Sequence, residues 1–356
     1  MPGRPTTAYD RAMIRSLLQD RRRVLAIAFV VAAAALLIEF LAVYFTRGFI
    51  PGDATVYLAG GERLNAGHQV YALMPGDRPE GLKPPFWTVP LLSPPLMAVI
   101  FRPLALFPND IGAYIWWAGT LSALAWILFT FVRRQPILTS IAVMVLVVPL
   151  TYEIGVGNVN AFLMLGAALT WKWTAEGRDE RAGAVTALGF LLKVSPVVMA
   201  WWLFTQRRWR AVRAGLVAGV AILAVSILGA GLDAHLTFIQ VTRDTATIGQ
   251  SELSLAGLAK AVGLTPSIAN LLPTAMLLGG ILGVLLLRGR PDWAFALAVA
   301  TMTLGSPVVN INSFAMLLVC ITPWIWPMPQ AETTPALAPA SGEAEARTSP
   351  LTASST

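Results

Sequence analysis

Long apolar runs separated by short arginine-rich segments constrain the fold of this chain more than any other feature. Basic residues gather at 15–23, 133–134, 178–181, 207–210 and 288–290, and the segments between them are strongly apolar. Only 13% of the 356 residues are charged and 56% are hydrophobic, whereas about 25% of a soluble globular chain is charged. So few charges leave too little polar surface for water, and the pattern predicts a protein embedded in lipid.

Apolar runs long enough to enter a membrane recur through most of the chain. A helix needs roughly 20 apolar residues to cross a hydrocarbon core, and the runs predict about nine to eleven membrane segments within residues 24–326. We therefore expect an all-α polytopic membrane protein, with a basic cytoplasmic N-terminus at 1–23 and a disordered cytoplasmic tail at 327–356. The predicted spans are Val24–Phe45, Ile111–Val132, Pro136–Leu150, Val159–Thr174, Ala182–Phe204, Val212–Gly229, Ser267–Leu287, Trp293–Leu304 and Phe314–Trp326.

The arginine-rich segments also set the predicted orientation. Cytoplasmic loops of membrane proteins carry an excess of Lys and Arg, so these segments are expected on the inner face of the plasma membrane. The basic residues behind the net charge of +7 are therefore expected in loops. Since they do not form a basic patch interleaved with aromatics, as in nucleic-acid-binding proteins, no nucleic-acid partner is expected. The polar segments expected on the outer face are Arg47–Trp87, Thr151–Asn158, Gly231–Thr265 and Ser306–Ser313.

Two apolar segments carry residues that interrupt a regular helix. Thr88–Pro108 contains five prolines, which remove backbone donors and break helix interiors, so it is expected to be re-entrant or a short broken helix. Ala182–Phe204 has basic residues near both ends and Lys193 and Pro196 in its middle. Two half-depth helices meeting near Lys193 would place both basic ends on the inner face.

The first outer loop, residues 47–87, begins with a predicted amphipathic helix. Asp53 and the apolar residues after it recur at i, i+3, i+4, i+7 and i+11, which is one face of a helix lying on the membrane surface. Asp53 stands in the N-terminal turn of this helix. Two roles fit it: a helix N-cap, or a general base that deprotonates a sugar hydroxyl while a lipid-linked donor enters from the bilayer. The face consists of Asp53, Val56, Tyr57, Gly60 and Leu64.

Ionisable residues within or beside the apolar segments are further candidates, because a charge inside a bilayer is costly. Glu39 in the first span fits either a functional role or a helix–helix hydrogen bond. Lys193 fits either binding of a lipid-carrier phosphate or snorkelling to the interface. Arg243, next to Asp244 in the last large outer segment, fits either phosphate binding or an ordinary solvated pair.

Aromatic and amide side chains of the outer segments are candidates for binding a sugar or an acceptor. The prolines and aromatics of Lys83–Trp87 suit a rigid wall for a sugar ring or a polyprenyl chain, and equally an interfacial aromatic belt. Asparagine suits sugar hydroxyls because its amide both donates and accepts hydrogen bonds. The candidates are Tyr57, His68, Tyr71, Asn158, Asn160, Asn310 and Asn312.

Motifs for several other chemistries are missing from the sequence. It contains no phosphate-binding P-loop, no Gly-rich dinucleotide turn, no Cys/His metal spacing and no Gly-x-Ser-x-Gly elbow. We therefore expect neither a metal nor an organic cofactor. Any group-transfer donor is expected to reach the site through lipid or from the outer face.

Short motifs follow one another in a distinctive order along the membrane part. An Asp-x-x-x-Tyr helix after the first span is followed by Gly-x-x-x-Tyr, Pro-Pro, Gly-polar-Val-Asn, Lys-x-x-Pro, Arg-Arg-Trp-Arg, a Ser-Leu helix and Ser-Pro. This order resembles glycosyltransferase family 87, membrane enzymes of the GT-C class that include polyprenol-phosphate-mannose-dependent mannosyltransferases. The resemblance extends from about Asp53 to Ser313.

The resemblance assigns residues motif by motif. Asp53 matches the acid that the GT-C pattern implies as catalytic base, and Lys193 and Pro196 match Lys-x-x-Pro. The remaining matches are Tyr57, Gly67 and Tyr71 after the acid, Gly157–Asn160 for Gly-Gln-x-Asn with Asn158 in place of Gln, Ser254-Leu255, and Ser306-Pro307. The sequence departs from the family after Ser306-Pro307, because Val309, Asn310 and Asn312 replace the expected aromatic and His residues.

The resemblance implies both an architecture and a function. The architecture is a GT-C-like helical bundle with amphipathic juxtamembrane helices in the first extracytoplasmic loop. The function is transfer of a sugar, mannose in the first instance, from a polyprenyl-phosphate donor to an extracytoplasmic glycolipid or glycan acceptor with inversion. Asp53 would act as the base, and Lys193 and Arg243 would bind the donor phosphate. Two alternatives remain open: a lipid-carrier or solute transporter, which the broken helices also fit, and an inactive relative, which the departure at 309–312 suggests.

Overall fold

The described part of the chain is helical. A computed structural model gives the structure, and within the residues that it describes there is no β-strand. The predicted all-α membrane fold is confirmed. The described residues are 51–71, 91–108, 111–248 and 253–328, together with 38, 42 and 46.

Fifteen α-helices and two 3₁₀ helices follow one another in these ranges. Their bounds are α1 Gly52–Asn65, α2 Pro95–Leu104, α3 Ile111–Arg134, α4 Pro136–Val145, α5 Val147–Val156, α6 Asn160–Ala175, α7 Asp179–Leu192, α8 Val197–Thr205, α9 Trp209–Ala230, α10 Leu232–Ile248, α11 Leu255–Ala261, α12 Pro266–Ala269, α13 Leu272–Leu286, η1 Leu287–Gly289, α14 Pro291–Leu304, η2 Ile311–Ile321 and α15 Thr322–Ile325.

Three described stretches are long and apolar enough to cross a membrane. They are α3, α9 and the continuous segment Pro266–Gly289, and α4 with α5 makes a fourth if the bent pair is one span. The outer surface of α9 suits lipid, since Val217 is 72% and Leu228 is 88% exposed. The predicted first span, Val24–Phe45, lies outside the described residues apart from positions 38 and 42. The total number of spans therefore stays a prediction.

The segment predicted as a single span at Pro136–Leu150 is two helices. α4 and α5 meet at Leu146 with a bend of 74°, and α5 continues to Val156. Pro149 explains the break, because it has no N–H to donate to the carbonyl of Val145 and its ring crowds that carbonyl. The bend redirects α5 so that it ends in an asparagine-rich turn.

The helix break predicted at Lys193 is present. α7 ends at Leu192, Lys193 has extended backbone angles (φ −154°, ψ 137°), and α8 begins at Val197 after Pro196. The short helix predicted within Thr88–Pro108 is also present as α2. Prolines lie at both interruptions, and the average hydropathy of these segments gives no indication of the breaks.

Helix α7 packs closely against α9 through small residues. A Cβ atom on Gly183 would lie 1.9 Å from the carbonyl oxygen of Ala211, so any larger residue at this position would force the two helices apart. Ala182 and Ala211 are fully buried beside this contact. The contact fixes α7, and with it the position of the break at Lys193.

Arginines of two of the arginine-rich segments, Arg134 and Arg208, lie near the same end of the described bundle, where Arg208 Nη2 also lies 3.8 Å from Met328 Sδ. The Arg134 guanidinium lies 5.2 Å from the centre of the Trp326 ring, and Arg208 Nη1 lies 3.8 Å from Asp179 Oδ1. Trp171, Trp202 and Phe295 form a buried aromatic cluster nearby, with ring centres 5.0–5.5 Å apart. The charge pattern predicts that this end faces the cytoplasm, and the orientation stays a prediction.

Candidate active site

A turn between α5 and α6 organises the opposite end of the bundle. Gly157 has φ +63°, a left-handed conformation that favours glycine, and a Cβ atom there would lie 3.0 Å from Cβ of Pro51. Trp116 Nε1 donates to the Gly157 carbonyl at 2.9 Å, and Trp117 Nε1 donates to the Ile154 carbonyl at 2.6 Å. The turn is therefore held from α3 on one side and against the start of α1 on the other.

Asp53 lies in the first turn of α1, as predicted. It is not the N-cap, which is Pro51, so the alternative of a helix-capping carboxylate is wrong. Its Oδ2 instead accepts a hydrogen bond of 2.5 Å from Asn158 Nδ2. The Asn158 amide cannot face the other way, because its Oδ1 already accepts from the backbone N–H of Asn160 at 2.9 Å.

The surroundings of Asp53 alter its protonation. Burial raises the pKa of Asp53, while the hydrogen bond from Asn158 and the positive charge of Lys193 each lower it, and burial has the largest effect. The carboxyl is half-buried rather than fully exposed at the surface. A carboxylate with a raised pKa is a stronger base than one in water, which is useful for accepting a proton.

Glu153 links this turn to helix η2 through hydrogen bonds. It is 1% exposed and accepts hydrogen bonds from the Ala161 backbone N–H at 3.0 Å, from Asn160 Nδ2 at 3.2 Å and from Asn312 Nδ2 at 3.0 Å. Three donors on one carboxylate offset part of the cost of its burial.

Lys193 completes the network from the helix break between α7 and α8. Its Nζ donates to Asn160 Oδ1 at 2.8 Å. Asp53 and Lys193, which the sequence separates by 140 positions, thus belong to one hydrogen-bonded group. We call this group the Asp53–Lys193 cluster; it consists of Asp53, Glu153, Asn158, Asn160, Lys193 and Asn312.

A small cleft lies beside Lys193. Hydroxyl groups and the Lys193 ammonium line its polar side, an arrangement that suits an anion such as phosphate. The polar lining residues are Asn160, Lys193, Ser195, Thr303, Ser306 and Ser313, and the apolar ones are Leu163, Met302, Val308 and Met316. Ser306 of the late Ser-Pro motif therefore lies at the same cleft as the Lys-x-x-Pro lysine.

Tyr57 and Tyr71 are buried rather than placed at an open surface. The Tyr57 ring packs edge-on against Phe101 and Trp116 and is 5% exposed. The Tyr71 hydroxyl donates to the Ser93 carbonyl at 2.9 Å. Tyr57 thus packs α1 against α2 and α3, whereas the Tyr71 ring, which follows α1, packs against Phe238 of α10.

The remaining predicted residues lie outside the cluster. His68 is exposed after the end of α1, and Arg243 is exposed on α10. Asn310 is the N-cap of η2, where its side chain and that of Ser313 form a reciprocal capping box. Glu39 and Lys83–Trp87 lie outside the described residues.

No metal centre is built into the part of the chain that the structure describes. Within those ranges, no group of three or more His, Cys, Asp or Glu side chains is arranged to hold an ion. The chemistry of the cluster is that of carboxylates, amides and one ammonium.

Glu153 is the residue that sequence reasoning did not select. The sequence places it within the polar outer segment Thr151–Asn158, without a motif that distinguishes it. A signal existed, since an acid near the end of an apolar run and just before two asparagines needs partners when buried.

Comparisons with known proteins identify the family of the chain. The model of glycosyltransferase family 87 matches residues 92–309. The polyprenol-phosphate-mannose-dependent alpha-(1-2)-phosphatidylinositol pentamannoside mannosyltransferase of Mycolicibacterium smegmatis is 26% identical over 295 residues, which cover 78% of this chain and 67% of that protein. The protein of the same name from Mycobacterium tuberculosis is 26% identical over 213 residues, which cover 55% of this chain and 46% of that protein.

The family match covers more than half of the 356 residues and includes four of the six members of the Asp53–Lys193 cluster, while Asp53 and Asn312 lie outside it. No solved structure matches the chain. Because the family model spans most of the helical bundle, the chain belongs to glycosyltransferase family 87.

Proposed function

We propose that this protein transfers mannose from polyprenyl-phosphate-mannose to a hydroxyl of a glycolipid or glycan on the extracytoplasmic face of the plasma membrane. The family membership and the names of the two mycobacterial relatives support the reaction type and the donor. The relatives act on a phosphatidylinositol mannoside, which favours a glycolipid acceptor. The observation that carries the proposal is the joining of Asp53 to Lys193 through Asn158 and Asn160.

Asp53 is the proposed catalytic base. Asn158 binds its Oδ2, and within the described ranges Oδ1 remains available to accept the proton of the acceptor hydroxyl. The acceptor oxygen forms a bond to the anomeric carbon as the bond from that carbon to the phosphate oxygen breaks. The proton goes to Asp53, and the electron pair of the broken bond leaves with polyprenyl phosphate. A single displacement of this kind inverts the anomeric carbon.

Lys193 is the proposed binding group for the donor phosphate. Negative charge grows on the phosphate as the glycosidic bond breaks, and a fixed ammonium stabilises that charge most strongly in the transition state. The hydroxyls of Ser195, Thr303 and Ser306 line the same cleft and can donate to phosphate oxygens. Arg243 on the exposed face of α10 is a second proposed phosphate ligand.

Asp53→Asn tests the assignment of the base. The variant keeps the shape of the side chain and removes its basicity, so transfer should fall by roughly 10²–10⁴-fold. Asp233→Asn is the matched control, because Asp233 is an exposed acid in the first turn of α10. Radiolabelled polyprenyl-phosphate-mannose and a phosphatidylinositol mannoside in proteoliposomes give the rate. Wild-type turnover in a folded Asp53→Asn protein would remove Asp53 from the mechanism.

The broken helices also favour one alternative, a lipid-carrier transporter without chemistry. The same proteoliposomes distinguish the two functions. A mannosylated acceptor that forms with the purified protein supports the transferase, whereas counterflow of the labelled lipid without product supports transport. Donor binding with neither product nor counterflow would indicate an inactive relative.

A further inference from the structure

Glu153 is the most deeply buried ionisable member of the cluster, and the proposed reaction does not use it. Its Oε1 accepts from the backbone N–H of Ala161, and its Oε2 accepts from the side-chain amides of Asn160 and Asn312. All three partners are donors. A carboxylate is suited to this position because it only accepts hydrogen bonds.

The acceptor character of Glu153 determines which way the Asn160 amide faces. An asparagine amide has one donating and one accepting end, and these ends exchange places when the group turns by 180°. Asn160 Nδ2 points at Glu153, so Oδ1 points in the other direction, where it accepts from Lys193 Nζ at 2.8 Å. The Lys193 ammonium is therefore held by an oxygen whose position depends on Glu153.

We propose that Glu153 is a positioning residue that fixes the Asn160 amide and thereby places Lys193 for the donor phosphate. This inference rests on the proposed function, since it assigns the binding of phosphate to Lys193. Glu153 itself touches neither the sugar nor the phosphate. Its role is to keep an oxygen, rather than an NH₂ group, opposite the lysine.

Replacing Glu153 by glutamine has a defined consequence in this arrangement. The Ala161 N–H belongs to the backbone and cannot turn, so the oxygen of the glutamine amide has to face it. The glutamine NH₂ then faces the NH₂ groups of both Asn160 and Asn312, and the Asn160 amide turns to accept from it. That turn directs Asn160 Nδ2 at Lys193, which replaces a hydrogen bond by a contact between two donors.

A second substitution should restore what the first removes. In the double variant Glu153→Gln, Asn160→Asp, the glutamine donates to the new carboxylate at 160, and the other oxygen of that carboxylate accepts from Lys193. The net charge of the cluster is unchanged. Asn160→Asp alone places two buried carboxylates against each other and should also be defective.

The experiment measures donor binding and turnover for wild type, both single variants and the double variant. Equilibrium binding of radiolabelled polyprenyl-phosphate-mannose to detergent-purified protein gives Kd, and transfer to a phosphatidylinositol mannoside gives kcat and KM. Glu153→Gln should raise the donor Kd by about tenfold or more, the typical worth of a hydrogen bond to a charged group. The double variant should bind the donor at least severalfold more tightly than either single variant.

A matched control separates positioning from stability. Glu180→Gln makes the same change at an exposed residue in the first turn of α7 and should leave Kd unchanged. A purely structural role of Glu153 would lower the yield of folded protein without altering Kd of the folded fraction. If Glu153→Gln does not fold, the comparison of Asn160→Asp with the double variant still tests the inference.

Two results would overturn the inference. One is a folded Glu153→Gln protein with the wild-type Kd for the donor. The other is a double variant that binds the donor no better than Asn160→Asp. Failure of the proposed function has a different signature, because the wild-type protein would then transfer no sugar, whether or not it binds polyprenyl-phosphate-mannose.

Discussion

The two ends of helix α6 bury polar groups in contrasting ways. Near its last turn, Trp171 is 1% exposed and donates its indole N–H to the Trp326 carbonyl at 2.6 Å, within a cluster of aromatic rings. At its first residue, Asn160 is equally buried but lies between a carboxylate and an ammonium. At the Trp171 end, each large apolar ring has one hydrogen-bonding group to satisfy. At the Asn160 end, small polar side chains form several hydrogen bonds and bury little apolar surface.

This difference separates stability from function. Burial of large rings is strongly favourable, and their N–H groups need only one partner each. Buried ionic groups contribute little net stability, because the cost of removing them from water offsets their mutual attraction. We infer that the aromatic end stabilises the bundle and that the polar end is retained for its chemistry.

The largest expected effect on stability comes from the aromatic end. Trp171→Ala should destabilise the protein by about 3–5 kcal/mol, because it leaves a cavity next to Trp202 and Phe295. Trp209→Ala, at a residue that is 51% exposed, should change stability by about 0.5 kcal/mol or less. Thermal unfolding in detergent measures both. If Trp171→Ala instead lowered turnover per folded molecule without lowering stability, the division between the two ends would be wrong.

Lys193→Met should produce the opposite pattern. The variant keeps an unbranched side chain but removes the charge, so transfer should fall by roughly 10²–10³-fold, as for loss of one transition-state donor, with little loss of stability. Lys172→Met at the other end of α6 removes a lysine that pairs with Glu176 at 2.9 Å and should leave transfer unchanged. Kinetics in proteoliposomes and unfolding in detergent test both properties. Equal activity of Lys193→Met and wild type would contradict the assignment of the phosphate site.

Alanine substitutions at two glycines can separate the effect of backbone strain from the effect of moving the cluster. Gly157 and Gly177 have similar left-handed angles (φ +63° and +71°), but only Gly157 lies against α1, through Pro51. Alanine at either position should cost about 1–2 kcal/mol of stability. Only Gly157→Ala should also lower transfer, by about tenfold, because it moves Asn158 relative to Asp53. Equal transfer rates in the two variants would show that the turn does not position the base.

The smallest expected effect is a shift in pH dependence. The pKa of Asp53 is raised by burial, so the transfer rate should fall with decreasing pH at a higher pH than an ordinary aspartate would give. Asn158→Ala removes a hydrogen bond that stabilises the charged form, and the fall should therefore move to still higher pH. Rate profiles between about pH 4, near the ordinary pKa of aspartate, and about pH 8 give the midpoints. A midpoint that moves to lower pH in Asn158→Ala would exclude Asp53 as the titrating base.

Local patterns in the sequence were sufficient to predict several parts of this structure. The position of Asp53 in the first turn of α1 follows from helical periodicity, and the break at Lys193 follows from Pro196. The segment Pro136–Leu150, predicted as one span, belongs to two helices that meet at a bend. Average hydropathy does not depend on the missing N–H of Pro149, so it could not predict this bend. Periodicity and prolines act over a few residues, which is why such features can be predicted.

Long-range contacts could not be predicted in the same way. Nothing near Asp53 in the sequence indicates that Asn158 binds it, and nothing near Lys193 indicates that Asn160 does. The role of Asn310 as a cap rather than a cluster member depends on the exact start of η2. Asn310 and Asn312 differ by only two positions, yet one is exposed and the other is buried against Glu153.

The hydrogen bond between Asn312 and Glu153 has a consequence for the order in which the protein is made. The two residues are 159 positions apart, and a growing chain enters the membrane from its N-terminal side. Glu153 and Asn160 are synthesised together, whereas Asn312 arrives only after the helices up to α14 have been translated. The last partner of the buried carboxylate thus comes from the last part of the bundle, and completion of the site coincides with completion of the helical bundle.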